Sequence, residues 1–331
     1  MTNLPVLYQN NLQFRAVYES LCANGNAVVS GLIGSKHSFL VKSLFDQHPD
    51  TTIWIINNKE EAAYFLNDLE VLLPNPPLFF PSSYRRPYNI EETDNANVLL
   101  RAETLQKLKE LPKQLVVTYP EALFEKVLTP KELKRKTLSI NIGDELSIDF
   151  VNETLFEFGF SRVDFVAEPG EFAVRGGILD VHSFSHNQPF RIEFFGDEVD
   201  TIRTFDVTSQ RSMQSLNQAK ILANIEQKEE EEVRQSLLAF PSANTLVCVQ
   251  NESVITAELD ALFKHAQKAF VNISGEIKRQ SPKELFIDGK TFSKGLSILP
   301  NVHFSPSGKT STHTFSCQPQ PHFKRKFDWF S

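Results

Sequence analysis

Four short apolar runs constrain this chain more than any other feature. Ala27–Ser30, Thr51–Ile56 (TTIWII), Leu78–Phe80 and Leu115–Thr118 are separated by stretches whose apolar residues fall at helical spacing. Leu12, Ala16, Tyr18, Leu21 and Cys22 mark a first helix that stops at Gly25. Further helices are predicted from Ser38 through Phe45, over Glu60–Leu73 and over Asn95–Leu111. Near-continuous β-branched runs are typical of strands covered on both faces. Strand–helix alternation then predicts a parallel sheet with helices on both sides.

The style changes after Thr129. Strands there alternate apolar and polar residues, with hairpin-like turns, which predicts an α+β unit with one face of its sheet solvated. Beyond Met213 the first style returns. Glu229–Phe240 reads as a helix with an acidic first turn, Thr245–Gln250 as a strand, Ser253–Lys268 as a helix capped by Ser253, and Leu285–Asp288 as a strand. The expected organisation is an α/β body in two pieces, 1–128 and 213–331, interrupted by an inserted domain at 129–212. The segment Gln318–His322, with its prolines, and the basic Lys324–Lys326 read as an exit linker.

Composition narrows the function. A chain of 331 residues holds two or three units of about 100–150 residues. Its net charge of −7 disfavours nucleic acid as the main ligand, because such domains carry a basic footprint. The three cysteines, Cys22, Cys248 and Cys317, have neither disulfide nor zinc spacing, which suits a reducing cytoplasm. Met1–Asn11 does not read as a signal peptide, and no apolar run reaches the ~20 residues that span a bilayer.

The segment from Gly31 to Ser38 (GLIGSKHS) follows a predicted strand and opens a predicted helix, the setting of a phosphate-binding loop. Its chemistry is spoiled. Lys36 stands where the motif needs its second glycine, His37 where it needs the lysine, and only Ser38 fits the magnesium-binding hydroxyl. No nucleotide cofactor is expected. His182 and His186, four residues apart on strand or loop, do not share a helical face as a zinc pair would. No catalytic residue and no metal site is expected.

Two segments remain. EPGEFAVRGGILDV runs from Glu168 to Val181, and FRIEFFGDEVDTIRTFD from Phe190 to Asp206. Period two puts Phe190, Ile192 and Phe194 on a core face, and Arg191, Glu193 and Phe195 on a wet one. By the same parity Arg175 shares a face with Ala173, opposite Phe172 and Val174. Arginine beside an aromatic on an open sheet face is the composition of an interaction hot spot, although charges on a wet sheet face are commonplace. Glu193 is expected to hold the guanidinium of Arg191 or to take a cation from a partner, and none of these side chains is expected to matter for folding.

These segments, closed by Thr208–Arg211 (TSQR), resemble the family shared by UvrB and the bacterial transcription-repair coupling factor Mfd. So does FFPSSYRRPYNIEETDNANVLLRAETLQKL from Phe79 to Leu108. The resemblance implies a RecA-like, P-loop-type body with an inserted UvrA-binding domain, acting in nucleotide excision repair. It puts UvrA contacts at Arg162, Arg175, Arg191 and Glu193, and strand parity adds Phe195. Where UvrB has another arginine, this chain has Ala173. Between Tyr84 and Asn95 there is no room for the long aromatic hairpin of UvrB. The expectation is a non-catalytic docking module, a piece of a protein that meets RNA polymerase and DNA through other domains. Two alternatives stay open: an ATP-dependent UvrB-like helicase, and a DNA-binding module using Arg85-Arg86 and Lys324-Arg325-Lys326.

Overall fold

The computed structural model describes residues 11–83, 95–225, 232–272, 280–305 and 312–317. The expectations placed on Met1–Asn10, Tyr84–Asp94 with Arg85-Arg86, Glu229–Glu231, Gln318–His322 and Lys324–Lys326 lie outside the described residues.

The chain first runs through α1 (Leu12–Asn24), β1 (Asn26–Ser30), α2 (Lys36–Gln47), β2 (Thr52–Ile55), α3 (Lys59–Leu72) and β3 (Leu78–Phe80). It continues with α4 (Asn95–Glu110), β4 (Leu115–Thr118), α5 (Pro120–Phe124), β5 (Val127–Leu128) and α6 (Pro130–Arg135). Local chemistry sets the helix ends. Asn11 caps α1 through the Gln13 amide, and Gly25 stops it at φ 73°, a left-handed value that glycine adopts without Cβ strain. Asn58 accepts from the Glu61 amide at the start of α3, whose first-turn Glu60 and Glu61 suit the positive end of the helix dipole.

A second unit follows: β6 (Thr137–Asn141), α7 (Ile148–Glu157), β7 (Ser161–Arg162), β8 (Glu171–Arg175), β9 (Ile178–Val181), β10 (Phe190–Phe195), β11 (Glu198–Phe205), β12 (Ser212–Leu216) and β13 (Gln218–Leu222). The return comprises β14 (Arg234–Gln235), a 3-10 turn at Leu237–Ala239, β15 (Leu246–Val249), α8 (Glu252–Asn272), α9 (Pro282–Leu285), α10 (Gly289–Ser297), β16 (Asn301–Ser305) and β17 (His313–Thr314).

Strand order shows how the pieces join. The large sheet runs β17-β1-β16-β15-β2-β4-β3, and every pair in it is parallel. β16 and β15, from the return, lie between β1 and β2, from the first pass. The body is therefore one discontinuous α/β sheet, and neither half closes it alone. Every residue of β2, β4 and β15 is buried, as strands covered on both faces require.

The small unit is a six-stranded sheet, β12-β11-β10-β9-β8-β7, antiparallel except for β7 with β8. α7 and the β6/β13 pair supply the other half of its core: Ile140, Val151, Leu155, Ala219 and Ile221 meet Phe172, Leu179, Val181, Phe190 and Ile192. Val98 of α4 joins this core and Lys220 meets Glu110 at 2.8 Å, so α4 ties the two units together.

Four readings change. β12 pairs with β11 and β13 with β6, so the small unit's strands continue past Ser212 to Leu222. The described part of 229–240 is not an α-helix: Arg234–Gln235 pair with β5, and Arg234 is buried against Glu232 and the Ile225 carbonyl. Tertiary pairing overrides helix propensity there. α8 starts at Glu252, one residue before Ser253, and Asn251 Oδ1 accepts from the Ser253 hydroxyl. Leu285 closes the short helix α9, and only Phe286 makes a bridge, to Glu125.

Candidate docking face

The outer face of the small sheet follows from alternation. Phe172, Leu179, Phe190, Ile192 and Ile202 point into the core, so Ala173, Asp180, Arg191, Thr201 and Arg203 point the other way. Register brings them side by side: Asp180 lies opposite both Ala173 and Arg191, Arg203 opposite Arg191, and Thr201 opposite Glu193. A register shift beyond Glu193 pairs Phe194 with Val199, and both remain against the core.

Asp180 is the centre of this face. Its carboxylate is fully buried, and a lone buried charge is costly unless paired. Arg191 pairs with it side-on, Nε to Oδ1 at 2.7 Å and Nη2 to Oδ2 at 2.8 Å. Arg191 Nη1 donates to the Gln210 carbonyl at 3.1 Å, and its guanidinium lies 4.6 Å from the ring centre of Phe205. The bond to Asp180 pushes the Arg191 pKa up further. Arg175 reaches the same carboxylate through Nη2. Its Nη1 donates to the Asp164 carbonyl at 2.9 Å, and its guanidinium stands 5.6 Å from the Phe165 ring centre. The two arginines differ in access: the Arg175 side chain is 41% exposed and that of Arg191 16%.

A second cluster lies beside the first. Arg203 Nη2 donates to Glu193 Oε2 at 2.8 Å, and the Thr201 hydroxyl donates to the same oxygen at 3.0 Å. Glu193 therefore turns to Arg203, and Asp180, not Glu193, holds the fork of Arg191. Nor is Arg191 a freely replaceable surface charge. Arg162, on edge strand β7, shares a shallow groove of about 630 Å³ with Val163, Asp164, Phe165, Ala173, Val174 and Arg175. Phe165 and Phe195 are 69% and 83% exposed, rings that water solvates poorly. Phe195 stands at the hairpin tip, next to Gly196 at φ 64°.

Asp180, Arg203, Phe165 and Phe205 escaped the sequence reading. Parity within Ile178–Val181 carried the signal for Asp180, which alternates with Leu179 and Val181. His182 and His186 turn to backbone: His182 Nε2 lies 3.2 Å from the His186 carbonyl, and His186 Nδ1 2.8 Å from that of Gln188.

In the phosphate-type loop, Gly31 and Gly34 have positive φ, 78° and 56°. The loop is closely covered by the chain's own segment 312–317. Phe315 N donates to the Ser30 carbonyl at 2.9 Å, and a Cβ on Gly31 would lie 2.0 Å from the Phe315 carbonyl oxygen. His37 Nδ1 lies 2.9 Å from the Gly34 carbonyl, and its ring packs edge-on against Phe65 and Phe304. The Ser38 hydroxyl donates to Asp68 Oδ2 at 2.9 Å. Lys36 begins α2. Among the described residues, the cavity of about 510 Å³ beside the loop has His37, Asn57 and Gln250 in its lining and no lysine or arginine.

Comparison with known proteins defines the class. Residues 138–226 match the family model described as "UvrB interaction domain", which covers the small unit from β6 to β13. The chain is thus a discontinuous α/β body whose small unit is similar to the UvrB interaction domain. It is similar to transcription-repair-coupling factors over stretches of differing length. That of Bacillus subtilis (strain 168) is 27% identical over 318 residues, 93% of this chain and 25% of that protein. That of Haemophilus influenzae is 27% identical over 199 residues, 60% of this chain and 17% of that protein. A Mycobacterium tuberculosis relative is 41% identical over 106 residues, 32% of this chain and 8% of that protein. The chain spans a quarter or less of the length of these relatives. No described helix is long and apolar enough to cross a membrane.

Proposed function

We propose that this chain is the UvrA-recruiting module of a transcription-repair coupling factor, a non-catalytic docking piece that serves nucleotide excision repair of the transcribed strand. One observation carries the reading: the UvrB interaction domain match falls on the unit whose outer face gathers Arg175, Arg191, Glu193 and Phe195. Preset guanidiniums with an exposed aromatic are what a protein partner with surface carboxylates recognises. Arg162 and Phe165 extend the surface along the groove. The α/β body acts as a scaffold, because Asp68 engages the hydroxyl that would serve magnesium and Phe315 crowds the glycine of the phosphate loop. RNA polymerase and DNA belong to other parts of a longer protein. A bacterial cytoplasm is the working place, in keeping with Cys22, Cys248 and Cys317 as free thiols. Co-elution of the purified chain with UvrA on a sizing column tests the proposal; separate elution at micromolar concentrations of both would overturn it.

A further inference from the structure

The outer face holds two arginines on one buried carboxylate. Both oxygens of Asp180 are committed, Oδ1 to Arg191 and Oδ2 to Arg191 and Arg175 together. Arg191 has further supports in the Gln210 carbonyl and the Phe205 ring. Arg175 has the Asp164 carbonyl and a loose contact with Phe165, and it is the more exposed of the two. The neighbouring Glu193–Arg203 pair is neutral within itself. Among Arg175, Arg191, Arg203, Asp180 and Glu193 the charges sum to one positive charge, most accessible at Arg175.

We propose that Asp180 is the positioning residue of the docking face: it presets both guanidiniums, and the charge it leaves unmatched at Arg175 receives a carboxylate of the partner. This rests on the docking reading above. A planar guanidinium held on one edge keeps its other edge for a second carboxylate, which a freely rotating lysine would not orient. Being buried, Asp180 does not touch the partner, so its effect on binding passes through Arg175. Presetting also lowers the entropy of ordering a long side chain on association.

The test uses the whole 331-residue chain and two readouts. Asp180→Asn keeps the shape but loses the charge, and its amide cannot accept from both arginines. Arginine-selective NMR of the free chain should show hindered guanidinium rotation at Arg175 and Arg191 in the wild type. It should be lost at Arg175 in Asp180→Asn and weakened at Arg191, which keeps the Gln210 carbonyl and the Phe205 ring. Titration with UvrA should show affinity falling about tenfold, the order of one charge-assisted hydrogen bond. In the Asp180→Asn background, Arg175→Ala should then cost nothing further, while Phe195→Ala should keep its full effect. An undiminished cost of Arg175→Ala overturns the proposal. So does loss of the Phe195→Ala effect, since that means the whole face has collapsed. Unchanged guanidinium rotation at Arg175 overturns it whether or not UvrA binds. Failure of the wild type to bind UvrA removes the docking reading and the partner half of the proposal, leaving the NMR result to decide the positioning half.

Discussion

Arg191 lies flat against the buried carboxylate of Asp180, with both hydrogen bonds under 3 Å. This pair belongs to the fold as much as to the surface. Arg191→Glu would bring a second carboxylate against Asp180 and is expected to destabilise the small unit by about 3 kcal/mol, the scale for breaking a buried ion pair. Arg175→Ala removes the more exposed partner and is expected to cost under about 1 kcal/mol. Urea melts of the two variants check the difference. Equal, small losses would mean that Asp180 does not need Arg191.

The alternation of Phe190–Phe195 was enough to separate a core face from a charged one, and the runs around Thr51–Ile56 and Leu115–Thr118 were enough for a parallel sheet. Three things were hidden. That β16 and β15 sit between β1 and β2 depends on long-range pairing, which periodicity does not encode. The choice by Glu193 of Arg203 over Arg191 depends on cross-strand register, set by the shift beyond Glu193. The segment 234–240 has helix-like composition but is held extended at Arg234–Gln235 by β5 and by the buried Arg234–Glu232 pair. Capping was half legible: Asn251 and Ser253 are both capping residues, and the choice between them turned on one residue of helix length.

The phosphate-type loop is expected to leave ATP unbound. Millimolar ATP with magnesium should not move the melting temperature, whereas a ligand at 100 times its Kd would add about 2.7 kcal/mol. A rise of several degrees in differential scanning calorimetry would contradict the scaffold role of the body.

Gly31 is expected to be intolerant for the same structural reason. Gly31→Ala sets a Cβ against the Phe315 carbonyl at a backbone φ of 78°, and left-handed backbone alone costs a non-glycine residue roughly 1–2 kcal/mol. The variant should melt earlier and be cut faster by protease near Thr312–Cys317. Unchanged melting and cleavage would show that this segment does not press on the loop.

Stability should fall on mild acidification. Burial pushes the pKa values of His37, His182 and His303 below the ordinary 6.5, against weaker opposing effects of backbone hydrogen bonds at His37 (to Gly34, with Glu61 nearby) and at His182 (to His186 among others), and of Glu252 on His303. The unfolded chain then binds more protons than the folded one as pH drops through 6.5, so stability present above that value is lost progressively below it. His182, whose Nδ1 is buried without a hydrogen-bond partner, contributes from within the small unit. Melting temperature should decline from pH 7.5 to pH 5.5, and His182→Gln should flatten the decline. A flat wild-type profile would contradict the assignment.

Calorimetric titration of UvrA with the 331-residue chain, beside Arg175→Glu and Phe195→Ala, tests the docking role most directly. The wild type is expected to bind. Phe195→Ala should melt near the wild type and Arg175→Glu somewhat earlier, because it brings a second carboxylate near Asp180. Arg175→Glu should lose about 2 kcal/mol or more of binding, as expected where a desolvated charge pair is replaced by like charges. Phe195→Ala should lose affinity more modestly. Absence of wild-type binding, or normally folded variants with wild-type affinity, would contradict the assignment of this face to UvrA.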